Sequence, residues 1–278
     1  MEKALTTLAG DAVVVELTDV DVVERLAFRE GGVWAEHDHD HGDHDDHGHD
    51  EHAHDDHDHE EHAQDEHDHG DHDHDKAAHG GHDHDDHDHE EHAHDEKAHD
   101  DHGHDHAGGI DPHLWLSPDN ALVWLDVITE TLAERDPDHA DAYRTNAEAA
   151  KAEIVTVSAE IEGMLEPLDE TPYVVFHDAY QYFEHSFGLE PLGSIRLGDA
   201  DQPGPARIIE IKEAITKRGA VCVFAEPQFE PKLVDTVIEG TNAKRGTLDP
   251  IGAGLQPGAG LYPELLRGLA VSLKDCLA

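Results

Sequence analysis

The amino-acid sequence predicts an α/β fold with a parallel sheet covered on both faces. Three observations carry that reading. From residue 172 onward, short apolar runs alternate with segments of helical period, the rhythm of strand–helix units. "YVVF" (173–176) and "AVCVFAE" (220–226) are apolar at nearly every position, which suits strands buried on both faces. "DAYQYFEHSFG" and "GPARIIEIKEAITKRG" read as helices that end at a glycine, the residue that best closes a helix C-terminus.

Taken in order, residues 1–9 read as the end of a helix and "AVVVEL" (12–17) as a strand, whereas "TDVDVVERLAFREGG" has no strong period. Residues 37–106 are of low complexity. Order returns at "GGIDPHLWLSP", where Ser117 and Pro118 supply an N-cap and a first helical residue for "DNALVWLDVITETLAERD". Pro137 interrupts, and Asp136 or Asp138 can cap a second helix that runs through "ADAYRTNAEAAKAEIVTVSAEIEGMLEPL". That helix is long enough to span a whole molecule. Beyond it, "EPLGSI" predicts a strand, "EPKLVDTVIEG" a helix, "KRGTLDPIG" a strand running into a turn, and "YPELLRGLAVSLKDCLA" the closing helix. The segments are thus 1–36, 37–109, 110–136, 137–166 and 167–278.

Of the 30 His and 66 Asp and Glu, 26 and 29 fall between His37 and His106, beside 2 Lys. A chain with so few apolar groups cannot offset its conformational entropy, so 37–109 is predicted to be a disordered His/Asp-rich loop in the absence of metal. The other 208 residues still carry 37 acids against 16 bases. That fits either an ordinary solvated acidic surface or adaptation to high salt. A formal charge of −48 excludes a nucleic-acid binder that works by phosphate neutralisation. No run of about 18 apolar residues is present, so no transmembrane segment is expected. The first residues lack the basic start and apolar core of a signal peptide. Cys222 and Cys276 are either two buried thiols or one disulfide, and the second would imply an oxidising compartment.

His113, His177 and Asp249 each stand at a strand end or just before a helix, where a parallel α/β fold gathers ligand-binding groups. Two imidazoles and a carboxylate are a plausible donor set for zinc. Each also has a plainer reading, as a hydrogen-bonded structural His or as a turn-forming Asp. Within the tract, closely spaced residues such as His37, His39, His41, His44, His47, His49, His52 and His54 can chelate a metal over short spans. Zinc, with manganese or nickel as further occupants, is expected there at modest affinity and in mixed geometry. His139 and His185 read as solvated, Trp115 and Tyr180 as packing around the site, and Glu226 as a structural hydrogen-bonding residue rather than a cleft-lining one.

"DPHLWLSP", "VVFHDAYQYFEHSFGLE", "CVFAEPQFEPKLVDTV" and "GTLDPIGAGLQPGAGLYPELLRGLA", in that order and with "EKALTTLAGDAVVVEL" near the start, resemble the zinc/manganese substrate-binding protein family of ABC importers. The resemblance implies a two-lobed solute-binding protein with parallel sheets joined by a long connecting helix at 137–166. Residues 1–36 and 110–136 would be the remnant and end of an incomplete N-terminal lobe, and 167–278 the C-terminal lobe. It implies metal ligands at His113 and His177, with Asp249 a ligand or near neighbour, and an imidazole at 177 favours zinc over manganese. It also implies a Cys222–Cys276 disulfide, an ABC transporter permease as partner, a monomer, and an extracytoplasmic location. The family's first ligand, in a motif such as "PHDY", has no counterpart in this chain. The implied function is delivery of zinc for high-affinity uptake. The alternatives are a His-rich metal buffer or metallochaperone, and a zinc hydrolase, for which no general base is marked.

Overall fold

The computed structural model describes residues 12–31, 33, 109–196, 198 and 202–278. The helix end predicted at 1–9, and the His/Asp-rich tract predicted to be disordered with its accessory histidines, lie outside the described residues. Ordered structure after the tract begins with a 3₁₀ turn, Leu114–Leu116, and then helix α1, Pro118–Arg135. The Ser117 hydroxyl accepts the Asn120 N–H at 3.3 Å and Pro118 opens the helix, as expected. A second helix, α2, spans Ala140–Leu165 and packs against α1. The alternation of β1 (Tyr173–His177), α3 (Gln181–Phe187), β2 (Gly193–Arg196), α4 (Pro205–Arg218), β3 (Cys222–Ala225), α5 (Lys232–Ile238), β4 (Lys244–Thr247) and α6 (Leu261–Leu277) follows.

The four strands form one parallel sheet in the order β2-β1-β3-β4. Alternate side chains of the inner strands enter two cores, as the two-residue period of a strand requires. Tyr173, Val175, Cys222 and Phe224 meet α2, α3 and α6 through Val157, Ile161, Tyr182, Leu266 and Leu269. Val174, Phe176, Val223 and Ala225 meet α4 and α5 through Ile211, Ile215, Val234 and Val237. Both faces are therefore covered, which explains why the inner strands are apolar along Tyr173–Phe176 and Cys222–Ala225. The outer strand β4 is largely exposed, and its Lys244 and Arg245 place charge on the sheet edge. A Cys222–Cys276 disulfide, Cα atoms 6.0 Å apart, ties β3 to the last turn of α6. In the chain-entropy model, closing a loop of that length stabilises by roughly 4 kcal/mol.

Two expectations fail. Ala12–Leu17 forms no strand: Val13, Val14 and Val15 are 45%, 57% and 40% exposed, and the segment pairs with no described strand before a 3₁₀ turn at Leu17–Asp19. Apolar β-branched composition marks a segment that could pair, but a strand also needs a neighbour. Neither Asp136 nor Asp138 caps α2. Pro137 starts a 3₁₀ turn, Pro137–His139, which shifts the helix start to Ala140. The Asp136 carboxylate instead takes the Tyr143 hydroxyl and the His139 ring, each at 2.8 Å.

The segment 12–31 is held to this body by hydrogen bonds from distant parts of the chain. Asn120 exchanges two with the Glu24 backbone, Trp124 donates to the Leu17 carbonyl, and the Leu26 N–H reaches the Tyr182 hydroxyl. Ala27 and Ile110 form an antiparallel bridge. No helix among the described residues is long and apolar enough to cross a membrane.

Candidate metal centre

His113 and His177, far apart in sequence, come together in the fold. His177 is the last residue of β1, a central strand of the sheet, at the carboxyl edge where parallel sheets bind ligands. His113 precedes the 3₁₀ turn whose Leu114 and Leu116 are buried in the core, so the turn is anchored on both sides of Trp115. The two imidazole rings lie 5.4 Å apart, centroid to centroid, at 62°. Both histidines are largely buried.

Each ring has Nδ1 taken by a buried carboxylate. His113 Nδ1 is 2.6 Å from Asp111 Oδ1, and the same oxygen accepts the His113 N–H at 2.9 Å. His177 Nδ1 is 2.6 Å from Glu226 Oε1. Glu226 follows β3, the strand beside β1 and parallel to it, so two strands end by bringing the pair together. The Tyr180 hydroxyl donates to the same Oε1 at 3.0 Å. Burial foremost, then Glu226, pushes the Tyr180 hydroxyl well above its ordinary pKa, so it remains a donor. A carboxylate accepting from Nδ1–H selects the tautomer whose Nε2 carries the lone pair, the arrangement that supports histidine as a metal ligand.

Asp249 stands on the loop after β4. Its Oδ1 accepts the Gln228 amide at 2.7 Å and the Ile251 N–H at 3.3 Å. The loop is tied to the His113 turn, because Trp115 Nε1 donates to the Pro250 carbonyl at 2.9 Å. The structure thus joins His113 and His177, with Asp249 on an adjoining loop. Among the described residues no three His, Cys, Asp or Glu side chains converge on one ion position. Trp115 meets the His113 ring edge-on at 5.3 Å, and Tyr180 lies 6.3 Å from the His177 ring, as packing around the site requires. His139 and His185 are exposed and pair with Asp136 and Glu24.

Behind the pair lies a buried charge cluster that the sequence does not announce. The Arg29 guanidinium donates to both oxygens of Asp178 at 3.0 and 3.1 Å and to Glu184 Oε2 at 2.9 Å. The Tyr173 hydroxyl donates to Glu184 Oε1 at 3.1 Å. Burial raises the Asp178 carboxyl and pushes Glu184 up to about 7, against the opposing pull of Arg29. Asp111 was also not singled out in the sequence. Its signal is a carboxylate two residues before a candidate ligand, within reach of that residue's own N–H.

A family model described as the periplasmic component A of a zinc-uptake complex, ZnuA, matches residues 1–276. The high-affinity zinc uptake system protein ZnuA of Brucella suis is 50% identical over 171 residues, covering 62% of this chain and 51% of that protein. The chain thus spans about half the length of the curated relatives it matches. A crystal structure of ZnuA superposes with a TM-score of 0.54 at 26% identity, covering 62% of this chain and 61% of the other. A ZnuA mutant lacking 138–173 of its own numbering, described with zinc bound, gives 0.52 at 26% identity, covering 61% and 62%.

Proposed function

The chain belongs to the ZnuA family of periplasmic zinc-uptake components, and from that premise we propose that it captures zinc outside the cytoplasmic membrane and delivers it to the permease of an ABC importer. The observation that carries this reading is the pair of buried imidazoles, 5.4 Å apart, each with Nδ1 held by a carboxylate. Zinc takes nitrogen and carboxylate donors in tetrahedral array. His113 and His177 would bind it through Nε2. Asp249 would join through Oδ2 once its loop shifts toward the pair, leaving a fourth position. Zinc is the cargo, and no chemistry is done on it.

The tract 37–106 would act as a collector, holding zinc, or manganese or nickel, on clusters that begin with His37, His39, His41, His44, His47, His49, His52 and His54. Metal must displace protons from these histidines, so collection weakens below about pH 6.5. Release to the permease would follow from small shifts of loops around a stiff α2. The disulfide is consistent with an oxidising, extracytoplasmic location. A buffer using the tract alone would need neither carboxylate-held histidine, which is why transport is the favoured reading.

Competition of the full-length protein against a tight zinc chelator tests the assignment, because the weak sites of the tract are silent in it. His177→Ala is expected to weaken the tight site by more than about 100-fold, beyond the usual effect of removing a ligand's hydrogen-bond partner. The exposed His185→Ala should change it less than about threefold, as expected of a solvated side chain. Equal effects would remove His177 from the site.

A further inference from the structure

We propose that Glu226 is a positioning residue for zinc: it fixes His177 in the tautomer with the proton on Nδ1, and it supplies the negative charge that a divalent cation on that ring answers. The proposal rests on the reading of His177 as a ligand and goes beyond it.

The sequence reading made Glu226 an ordinary structural hydrogen-bonder, and the geometry argues for more. Its Oε1 takes both the His177 ring at 2.6 Å and the Tyr180 hydroxyl at 3.0 Å. Its Oε2 is buried with no hydrogen-bond partner. A carboxyl recruited only for stability would have both oxygens served, because an unpaired buried acceptor is destabilising. Asp111 shows the contrast. Its Oδ1 holds the His113 ring and N–H, and with the Gln181 amide turned so that its nitrogen faces Asp111, that nitrogen donates to Oδ2 at 3.1 Å.

Tyr180 and His177 together fix the rotation of the Glu226 carboxyl, so the unpaired oxygen is not free to seek a donor elsewhere. A cation bound at Nε2 withdraws electron density from the ring and strengthens Nδ1–H···Oε1. The same cation compensates the buried carboxylate through the ring. The buried negative charge of Glu226 is thus offset when a divalent cation sits on that ring. This couples the carboxylate to divalent-ion affinity rather than to folding.

The test uses the full chain and zinc alone. Glu226→Gln keeps the shape and one acceptor but removes the charge, and Glu226→Ala removes both. Chelator competition is expected to show zinc weakened about tenfold by Gln and about 100-fold by Ala, the usual range for the partner of a ligating histidine. Long-range ¹H–¹⁵N spectra of the metal-free protein give the signature that a structural role would not move. The His177 signal, identified by its loss in His177→Gln, should report Nδ1–H in the parent and a mixture with Nε2–H in Glu226→Ala. If Ala does not fold, the Gln variant decides, with a tenfold loss for the proposal and parental affinity against it. An unchanged tautomer in a folded Ala variant also overturns it. If His177→Ala abolishes the tight site while both Glu226 variants bind as the parent does, this proposal alone falls. If His177→Ala leaves the tight site intact, the zinc reading falls first.

Discussion

Glu184 is enclosed between Arg29 and Tyr173, and its carboxyl is pushed from 4.5 up to about 7, with burial the leading cause. The folded chain therefore holds a proton between those two values that the unfolded chain has released, and unfolding free energy falls as pH rises through that window. The contribution is fully present below about pH 4.5 and is lost by about pH 7. At about 1.4 kcal/mol per unit it amounts to at most about 3 kcal/mol. Glu184→Gln cannot titrate, so urea midpoints of parent and variant should diverge by about 1–3 kcal/mol between pH 5 and 8, the parent losing more. Parallel curves would show that Arg29 keeps Glu184 ionised. At this scale the candidate ligands were legible and the carboxylates that hold them were not. His113 and His177 declare themselves by standing at element ends. Arg29 and Asp178 meet only because the fold brings together residues 149 positions apart, and no local spacing encodes that.

Elements were legible wherever a local rule and the tertiary environment agree. Gly188 and Gly219 close α3 and α4 with φ of 66° and 70°, and Ser117 and Pro118 open α1. The misses occur where the two disagree. "AVVVEL" has strand composition without a described partner, and Asp136 has a capping side chain that Tyr143 and His139 capture first. Two glycines test how far local rules govern these helices. Gly163 sits inside α2 with open space where a Cβ would stand. Gly163→Ala should therefore stabilise by about 0.5–1 kcal/mol through helix propensity. Gly219 needs its left-handed backbone, so Gly219→Ala should destabilise by about 1–2 kcal/mol. Thermal unfolding of the two variants should move the melting temperature in opposite directions. Shifts of the same sign would mean that one site is governed by its surroundings and not by its backbone.

The whole molecule divides in sequence where composition changes, and the boundary at residue 37 is plain from alternating His and Asp alone. What composition does not reveal is how the described segments that flank the tract are joined. Ala27 bridges Ile110, the Phe28 N–H donates to the Gly109 carbonyl at 3.1 Å, and the Asp111 N–H donates to the Leu26 carbonyl at 2.9 Å. Residues 26–28 and 109–111 thus form a clasp, and His113 stands two positions past it. The described fold and candidate site draw on no residue of 37–106, so replacing that stretch tests the site without altering any residue assigned to it. Replacing 37–106 by an eight-residue Gly/Ser linker shortens the loop that the clasp closes about fourfold. Loop-closure entropy, about 0.6 kcal/mol per doubling, then predicts a stability gain of about 1 kcal/mol. Zinc counted by native mass spectrometry should fall by several ions, while chelator competition still finds one tight site. A lost tight site would place the ligands in the tract. A lower stability would mean that the tract packs on the fold, contrary to what so apolar-poor a sequence allows. The clasp makes these two outcomes independent, because it fixes Asp111 and His113 through the backbone of residues 26–28 and not through any histidine of the tract.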